Sequence, residues 1–79
     1  MRITDAARQT GATTDQIRYL ERKRYIKGRW THVKSRRIRD YPDSELAKVE
    51  LIVRYFNQGY RYDVAYRKAI DDLSQPRLL

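Results

Sequence analysis

The chain has 79 residues, so we expect one small domain with a core of modest size. It carries 18 Lys and Arg against 10 Asp and Glu, and residues 1–40 alone hold 12 of the basic and 4 of the acidic side chains. A net charge of +8 confined to one half is typical of a protein that docks one face on a polyanion. The absence of cysteine excludes disulfides and thiolate metal sites, and no apolar run is as long as a membrane span.

Two short helices joined by a glycine turn are predicted first. Thr4 is a candidate N-cap of the first helix, and Gly11 ends it because glycine readily adopts the left-handed conformation. Thr13 is the predicted N-cap of the second helix, and Gln16 three residues later completes a capping-box pattern. This is the helix-turn-helix arrangement, with residues 14–24 as the recognition helix.

A basic ribbon of two strands, the wing, is predicted over residues 27–39. Residues 25–30 contain strand-forming Tyr, Ile and Trp, and a second strand passes through residues 37–39 and ends at Tyr41. Residues 31–36 between them are polar and basic and carry no signal for a two-residue turn, so we expect a flexible loop there.

Two longer helices complete the predicted domain. Pro42 fits the first position of a third helix that ends at Gly59, and a fourth covers residues 62–73. Their expected core side chains are Leu46, Val49, Ile52, Val53, Phe56, Tyr62, Ala65, Tyr66, Ala69, Ile70 and Leu73. The sequence thus predicts a mainly α, winged helix-turn-helix domain over residues 1–75, with four helices and a two-stranded β wing between helices 2 and 3, and a tail at 76–79.

The candidate DNA contacts are the exposed face of the second helix and the cations of the wing. In a major groove, Gln16 could pair with adenine and Arg18 with guanine, each giving about 1–3 kcal/mol of discrimination. The wing is expected along a phosphate strand, with its loop in the adjoining minor groove. The candidates on the helix are Thr13, Thr14, Asp15, Gln16, Arg18, Tyr19 and Arg22. Those on the wing and its flank are Lys27, Arg29, Lys34, Arg36, Arg37, Arg39 and Tyr41.

Some of these side chains also have a structural interpretation. Arg18 could be a solvated charge, and Asp15 could either favour the helix start or reject some bases. Lys23 and Arg24 suit the negative end of a helix dipole as well as they suit a phosphate. We expect Trp30 to be a lid over the small core, in preference to a wedge between bases.

Several motifs lie in the same order as these elements. They are residues 3–13 at the first helix and turn, Gln16-Ile17-Arg18-Tyr19-Leu20-Glu21, Arg39-Asp40-Tyr41, a segment from Leu46, and Gly59-Tyr60. Together they resemble the DNA-binding domain of the MerR family of bacterial transcription regulators, with its patterns T-I-R-Y-Y-E, G-Y-R-x-Y, D-L-x-x-L-x-x-I and G-F/Y. The resemblance spans about residues 2–73, and Leu20, Arg37 and Ile38 depart from it.

The resemblance implies sequence-specific binding of double-stranded DNA in transcription regulation. No cofactor or metal is expected, because the chain has no cysteine and His32 is its single histidine. It implies phosphate contacts for Arg18, Tyr19 and Tyr41, although Tyr41 could instead staple the third helix. The regulators of this family usually continue into a dimerisation helix and a ligand-binding domain. The sequence ends before either of these parts, so we expect a monomer in solution. We expect it to be cytoplasmic and nucleoid-associated, and we expect several copies to bind side by side on direct repeats of DNA.

Three other functions fit the same charge. An architectural DNA-binding protein similar to a phage or plasmid excisionase would leave a long, bent and cooperative footprint. An RNA-binding module would prefer folded RNA, and a protein-interaction module would tolerate neutralisation of Arg36, Arg37 and Arg39. An enzyme is not expected, because no catalytic triad, paired carboxylates or phosphate-cradling glycine loop is present in the sequence.

Overall fold

A computed structural model describes residues 1–75. Their elements are α1 (Ile3–Thr10), α2 (Thr14–Arg22), β1 (Arg29–Val33), β2 (Arg36–Asp40), α3 (Asp43–Asn57) and α4 (Tyr62–Ser74). This confirms the predicted mainly α architecture with a two-stranded wing between helices 2 and 3. The predicted tail at 76–79 lies outside the described residues. Within residues 1–75, no helix is long and apolar enough to cross a membrane.

The turn between α1 and α2 forms at the residues that the sequence indicates. Gly11 adopts a left-handed φ of +80°, and its N–H donates to the carbonyl of Ala7. The Thr13 hydroxyl accepts from the Gln16 N–H at 3.0 Å, and the Thr13 N–H donates to Gln16 Oε1 at 2.9 Å. The capping box is therefore complete, and it sets the direction in which α2 leaves the turn.

Two predicted helix starts are displaced by one or two positions. The N-cap assignment of Thr4 is wrong, because α1 already begins at Ile3, after Arg2, and this start lets Ile3 pack against the core. Pro42 is the N-cap of α3 and not its first helical residue. Its backbone is extended, and its carbonyl accepts the N–H groups of Glu45 and Leu46 as an N-cap carbonyl does.

The wing is a tight hairpin, so the predicted flexible loop at 31–36 is wrong. β1 and β2 pair antiparallel from Arg29 opposite Asp40 to Val33 opposite Arg36, which leaves a turn of two residues. These residues, Lys34 and Ser35, have φ of +50° and +67°, as the type I′ turn of a two-residue hairpin requires. Neither is a glycine or asparagine, and for this reason the turn escaped the sequence patterns.

The first predicted strand also begins too early. Residues 25–28 precede β1 because Ile26 enters the core, where it is 1% exposed. Tyr25 stacks on Tyr66 of α4, with ring centroids 4.6 Å apart. Burial of this segment therefore competes with strand pairing and delays the hairpin until Arg29.

The core lies between the pair of helices α1 and α2 and the pair α3 and α4. Ile17, Leu20, Val49 and Ile52 are completely buried, and the small side chain of Ala65 lets α4 approach closely. The predicted burial of Leu46, Val49, Ile52, Val53, Ala65 and Ala69 is confirmed, and Phe56, Tyr62, Tyr66 and Ile70 are partly buried. Leu73 is 48% exposed, contrary to prediction, because no element within residues 1–75 covers the last turn of α4.

Aromatic contacts fasten α2 to the helical scaffold. The Tyr62 ring stacks on Phe56 at 4.1 Å between centroids and lies 4.7 Å from the ring of Tyr19 on α2. Offset and tilted pairs of this kind stabilise by about 0.5–1.5 kcal/mol beyond the area they bury. Tyr62 and Tyr66 thus pack as expected.

The α2 cap gives a first test of the fold. We expect Thr13→Ala to lower the free energy of unfolding by about 1 kcal/mol, because it removes the acceptor of the capping box. This corresponds to a fall of about 4–8 °C in the melting temperature of a domain of this size, measured by circular dichroism. Thr4→Ala is the matched control, since Thr4 makes no cap hydrogen bond. Equal losses in the two variants would contradict the assignment.

An ionic cluster fastens the chain start to the end of β2. The Asp40 carboxylate contacts the Met1 ammonium and accepts from Arg29 Nε at 2.8 Å, while the Tyr41 N–H donates to the Met1 carbonyl at 2.8 Å. The ammonium first, and then Arg29, hold the pKa of Asp40 below its ordinary value. The base of the wing is therefore held by a charged carboxylate.

Because of this cluster, the free energy of unfolding should fall as the pH is lowered into the acid range. A carboxyl whose folded pKa is lowered contributes stability above its unfolded pKa of about 3.9, and this stability is lost as pH falls through the folded value. We expect Asp40→Asn to flatten the fall in the urea unfolding midpoint below about pH 4. Asp71→Asn, which removes an exposed acid outside the cluster, should retain the wild-type curve. An unchanged acid limb in Asp40→Asn would show that the cluster contributes no stability.

Candidate nucleic-acid interface

The recognition helix α2 presents one polar face to solvent. At 100° per residue, Asp15, Arg18 and Arg22 fall within about 60° of one another on the helix surface, away from the buried Ile17, and all three are exposed. Thr14 lies at the edge of this face and is half-buried. The Arg18 side chain is 62% exposed, and its 3.3 Å ion pair with Asp15 joins two solvated groups. Such pairs contribute little, so a ligand can compete for Arg18 at low cost.

Gln16 and Tyr19, which were also predicted as contacts on α2, make contacts within the protein. Gln16 Oε1 accepts from Thr13, and Gln16 Nε2 donates to the Tyr62 hydroxyl at 3.0 Å. Pairing with adenine uses both ends of the amide, so it would compete with these two hydrogen bonds for the orientation of the side chain. Tyr19 is half-buried against Tyr62. These side chains position α2 in the free protein.

The recognition helix ends at Arg22, two residues before the predicted end at residue 24. Arg24 adopts a left-handed φ of +64°, and its N–H donates to the Glu21 carbonyl while the Tyr25 N–H donates to the Leu20 carbonyl. This is a Schellman motif with arginine at the position that usually holds glycine. The end of α2 could therefore not be recognised from a glycine in the sequence.

The Glu21 cluster, formed by Glu21, Arg39 and Tyr41, joins α2 to the wing. Glu21 Oε1 accepts from the Tyr41 hydroxyl at 2.7 Å, and Oε2 pairs with the Arg39 guanidinium. Tyr41 is 3% exposed, and the carboxylate and guanidinium are also largely shielded. Gly28 leaves the necessary room, because a Cβ there would lie 2.7 Å from Arg39 Nε. The cluster therefore sets the position of the wing relative to α2.

The cluster changes the interpretation of two predicted DNA contacts. The Tyr41 hydroxyl donates to Glu21, so Tyr41 could donate to a phosphate only by leaving that carboxylate. Arg39 holds Glu21 through one end of its guanidinium, which fixes its position while its other N–H groups remain possible donors. Glu21 and Gly28 were not among the predicted site residues. One signal in the sequence was available, since Glu21 is the only acid between Arg18 and Arg39.

The remaining wing cations point outward. The exposed ones are Lys27, Arg29, Lys34, Arg36 and Arg37, of which Arg29 also pairs with Asp40. An open groove of about 550 Å³ runs between the wing and the start of α1, and Arg2, Lys34 and Arg36 are among the residues that line it. None of the lining residues is acidic, so the groove is complementary to an anion. Within residues 1–75, no group of His, Asp and Glu side chains could hold a metal ion.

Trp30 does not cover the core, so its predicted role as a lid is wrong. It is 54% exposed and lies outside the cluster of buried residues. In the antiparallel register Trp30 is opposite Arg39, and His32 is opposite Arg37, so these four side chains share one face of the wing. That face turns toward α2, because Trp30 and Arg39 line one cleft with Arg18 and Glu21.

The Glu21 cluster can be tested by stability measurements. We expect Glu21→Gln to lower the free energy of unfolding by about 1–2 kcal/mol, because the shielded Arg39 guanidinium loses its charged partner. Glu50→Gln is the matched control, since Glu50 and Arg54 form an ion pair with both side chains more than half exposed. Its effect should stay within about 0.5 kcal/mol. Urea unfolding measures the free energy of unfolding of both variants. Equal losses would show that Glu21 contributes no more to stability than an exposed ion pair does.

Comparison with known proteins agrees with this geometry. The chain matches the family model described as MerR HTH family regulatory protein over residues 1–68, which include α1, α2, the wing, α3 and the first half of α4. No curated protein matched the chain. The chain belongs to the MerR helix-turn-helix family of regulatory proteins, a family of non-enzymatic DNA-binding transcription regulators.

Proposed function

We propose that this protein binds specific sequences of double-stranded DNA as a bacterial transcription regulator, with α2 in the major groove and the wing on the backbone and adjoining minor groove. One observation carries the proposal: Arg18 of α2 and Trp30 and Arg39 of the wing line the same open cleft. A single duplex lying across that cleft can meet both elements at once. A protein that reads bases in one groove and contacts the neighbouring backbone needs its recognition helix and its wing at a fixed distance and orientation.

The proposed contacts divide into three groups by their surroundings. The exposed Asp15, Arg18 and Arg22 of α2, with the half-buried Thr14 at the edge of their face, are the candidates for base edges and nearby phosphates. Lys27, Arg29, Lys34, Arg36 and Arg37 are the candidates for the backbone along the wing. Thr13, Gln16, Tyr19, Arg39 and Tyr41 are engaged in internal contacts, so we propose that they act by positioning the other two groups.

Direct binding to DNA is the first experiment. Selection of bound sequences from a random duplex library should enrich one motif, and binding to it should weaken steeply with salt. If six to ten phosphates are contacted, affinity should fall about a thousandfold or more between about 50 and 200 mM salt. Fluorescence anisotropy of labelled duplex measures this. A preference for folded RNA, or the absence of an enriched motif, would refute sequence-specific reading of duplex DNA.

Replacement of Arg18 tests the part played by α2. If Arg18 reads guanine, Arg18→Ala should weaken binding to the selected site by about 1–3 kcal/mol and relax the preference at one position. If it contacts a phosphate, binding should weaken alike on all sequences and the salt slope should fall by about 1. Arg67→Ala is the matched control, because it removes an exposed cation from α4 and should change affinity little. Equal losses in the two variants would contradict the placement of α2 in the groove.

We further propose that copies of the protein bind side by side on direct repeats. The two-element surface described above spans only a short stretch of duplex, so several copies would supply the specificity that one copy lacks. The selected sequences report this directly: repeats spaced by about one helical turn, 10–10.5 bp, support the arrangement. Footprinting and a bending assay separate it from an architectural role, which predicts a long and strongly bent footprint.

A further inference from the structure

Trp30 occupies a position that packing within the protein does not explain. It is 54% exposed on the face of the wing that turns toward α2. Two guanidinium groups approach its ring, Arg37 with Cζ 4.4 Å and Arg39 with Cζ 4.9 Å from the ring centroid. Indole is the aromatic group that attracts cations most strongly, so these contacts hold both arginines at a defined place on the wing.

The two arginines differ in how their charge is balanced. Arg39 is paired with Glu21, whereas no carboxylate lies within ion-pair distance of Arg37 in the part of the chain that the structure describes. A guanidinium that lies over an aromatic ring keeps N–H donors free in its own plane. Arg37 is therefore an ordered cation with donors available to an anion.

The cleft beside Trp30 is lined by both apolar and charged residues, and Arg37 lies over the Trp30 ring outside this lining. The cleft has a volume of about 380 Å³ and is lined by Ile3, Arg18, Glu21, Trp30, Arg39 and Tyr41. Arg39 and Tyr41 both bond to Glu21. The surfaces left for a ligand are thus Ile3 and the part of the indole that Arg37 and Arg39 do not cover, with Arg18 on the α2 side. A sugar bearing a phosphate presents the matching combination of an apolar face and an anion.

We propose that Trp30 and Arg37 together bind one nucleotide of the DNA backbone, with its deoxyribose against the indole and its phosphate on the Arg37 guanidinium. The inference rests on the proposed function and goes beyond it by assigning Trp30 as a DNA contact. Contact with the sugar would remove apolar surface of the exposed indole from water, and this burial favours binding.

Fluorescence tests this assignment directly, because Trp30 is the only tryptophan of the chain. On titration with the selected duplex, the emission of Trp30 should change with the same Kd as the anisotropy of labelled DNA. The quenching of Trp30 by acrylamide should decrease in the complex. A 2-aminopurine placed in the flanking sequence should retain its stacked, weak emission, and a rise there would show that Trp30 enters the base stack and would overturn the sugar contact.

Variants give the second measurement. Trp30→Ala should weaken binding about tenfold, and Trp30→Phe should retain most of the affinity because an aromatic face remains. Arg37→Gln should weaken binding and lower the salt slope by about 1, whereas the control Arg67→Gln should leave both unchanged. Circular dichroism checks that each variant is folded. If Trp30→Ala does not fold, the fluorescence titration of the wild-type protein tests the contact in its place.

The outcomes separate this inference from the function on which it rests. If labelled duplex binds while Trp30 emission and quenching stay constant, and folded Trp30→Ala and Arg37→Gln bind as the wild type does, the inference is refuted and the proposed function stands. If no duplex changes the anisotropy at all, the proposed function is refuted and the inference with it.

Discussion

The position of the wing depends on the carboxylate of Glu21. Its two oxygens bind Arg39 and Tyr41, residues 18 and 20 positions later in the chain. A two-stranded hairpin alone is marginally stable in water, and none of the ten residues of β1 and β2 is buried. The order of the wing must therefore come from its base, where the Glu21 cluster holds one side and the contact of Asp40 with the chain start holds the other.

This arrangement also addresses an electrostatic problem. The stretch from Arg18 to Arg39 concentrates cations that repel one another, and a single shielded acid partly offsets that repulsion at the point where helix and hairpin meet. Arg18 and Arg29 pair with Asp15 and Asp40, which lie outside this stretch. The other cations of the stretch still repel one another, and a bound polyanion would reduce that repulsion. Residues 41–79 have no net charge, and α3 and α4 pack there through Ala65 and Ala69. This packing supplies the stability that offsets the repulsion between the cations of the other half.

Sequence reasoning succeeded where a local signal marks the structure. The capping box of Thr13 and Gln16 and the left-handed turn at Gly11 were recognisable because each acts within a few residues. The same turn geometry without glycine was missed. Arg24 ends α2 and Lys34 with Ser35 closes the wing, all with positive φ, and nothing in their residue types indicates it. The surrounding packing selects these conformations against local preference.

The sequence by itself determined the helix-turn-helix with its wing, most of the core and the confinement of the net charge to one half, because periodicity, capping and composition are local properties. Only the tertiary structure decided which polar side chains of the basic half remain free for a ligand. Gln16 bonds to Tyr62, 46 residues away, Arg39 and Tyr41 bond to Glu21, and Trp30 faces solvent. Such pairings depend on where the chain returns in space, and every arginine or glutamine carries the same donors whether it faces DNA or its own protein.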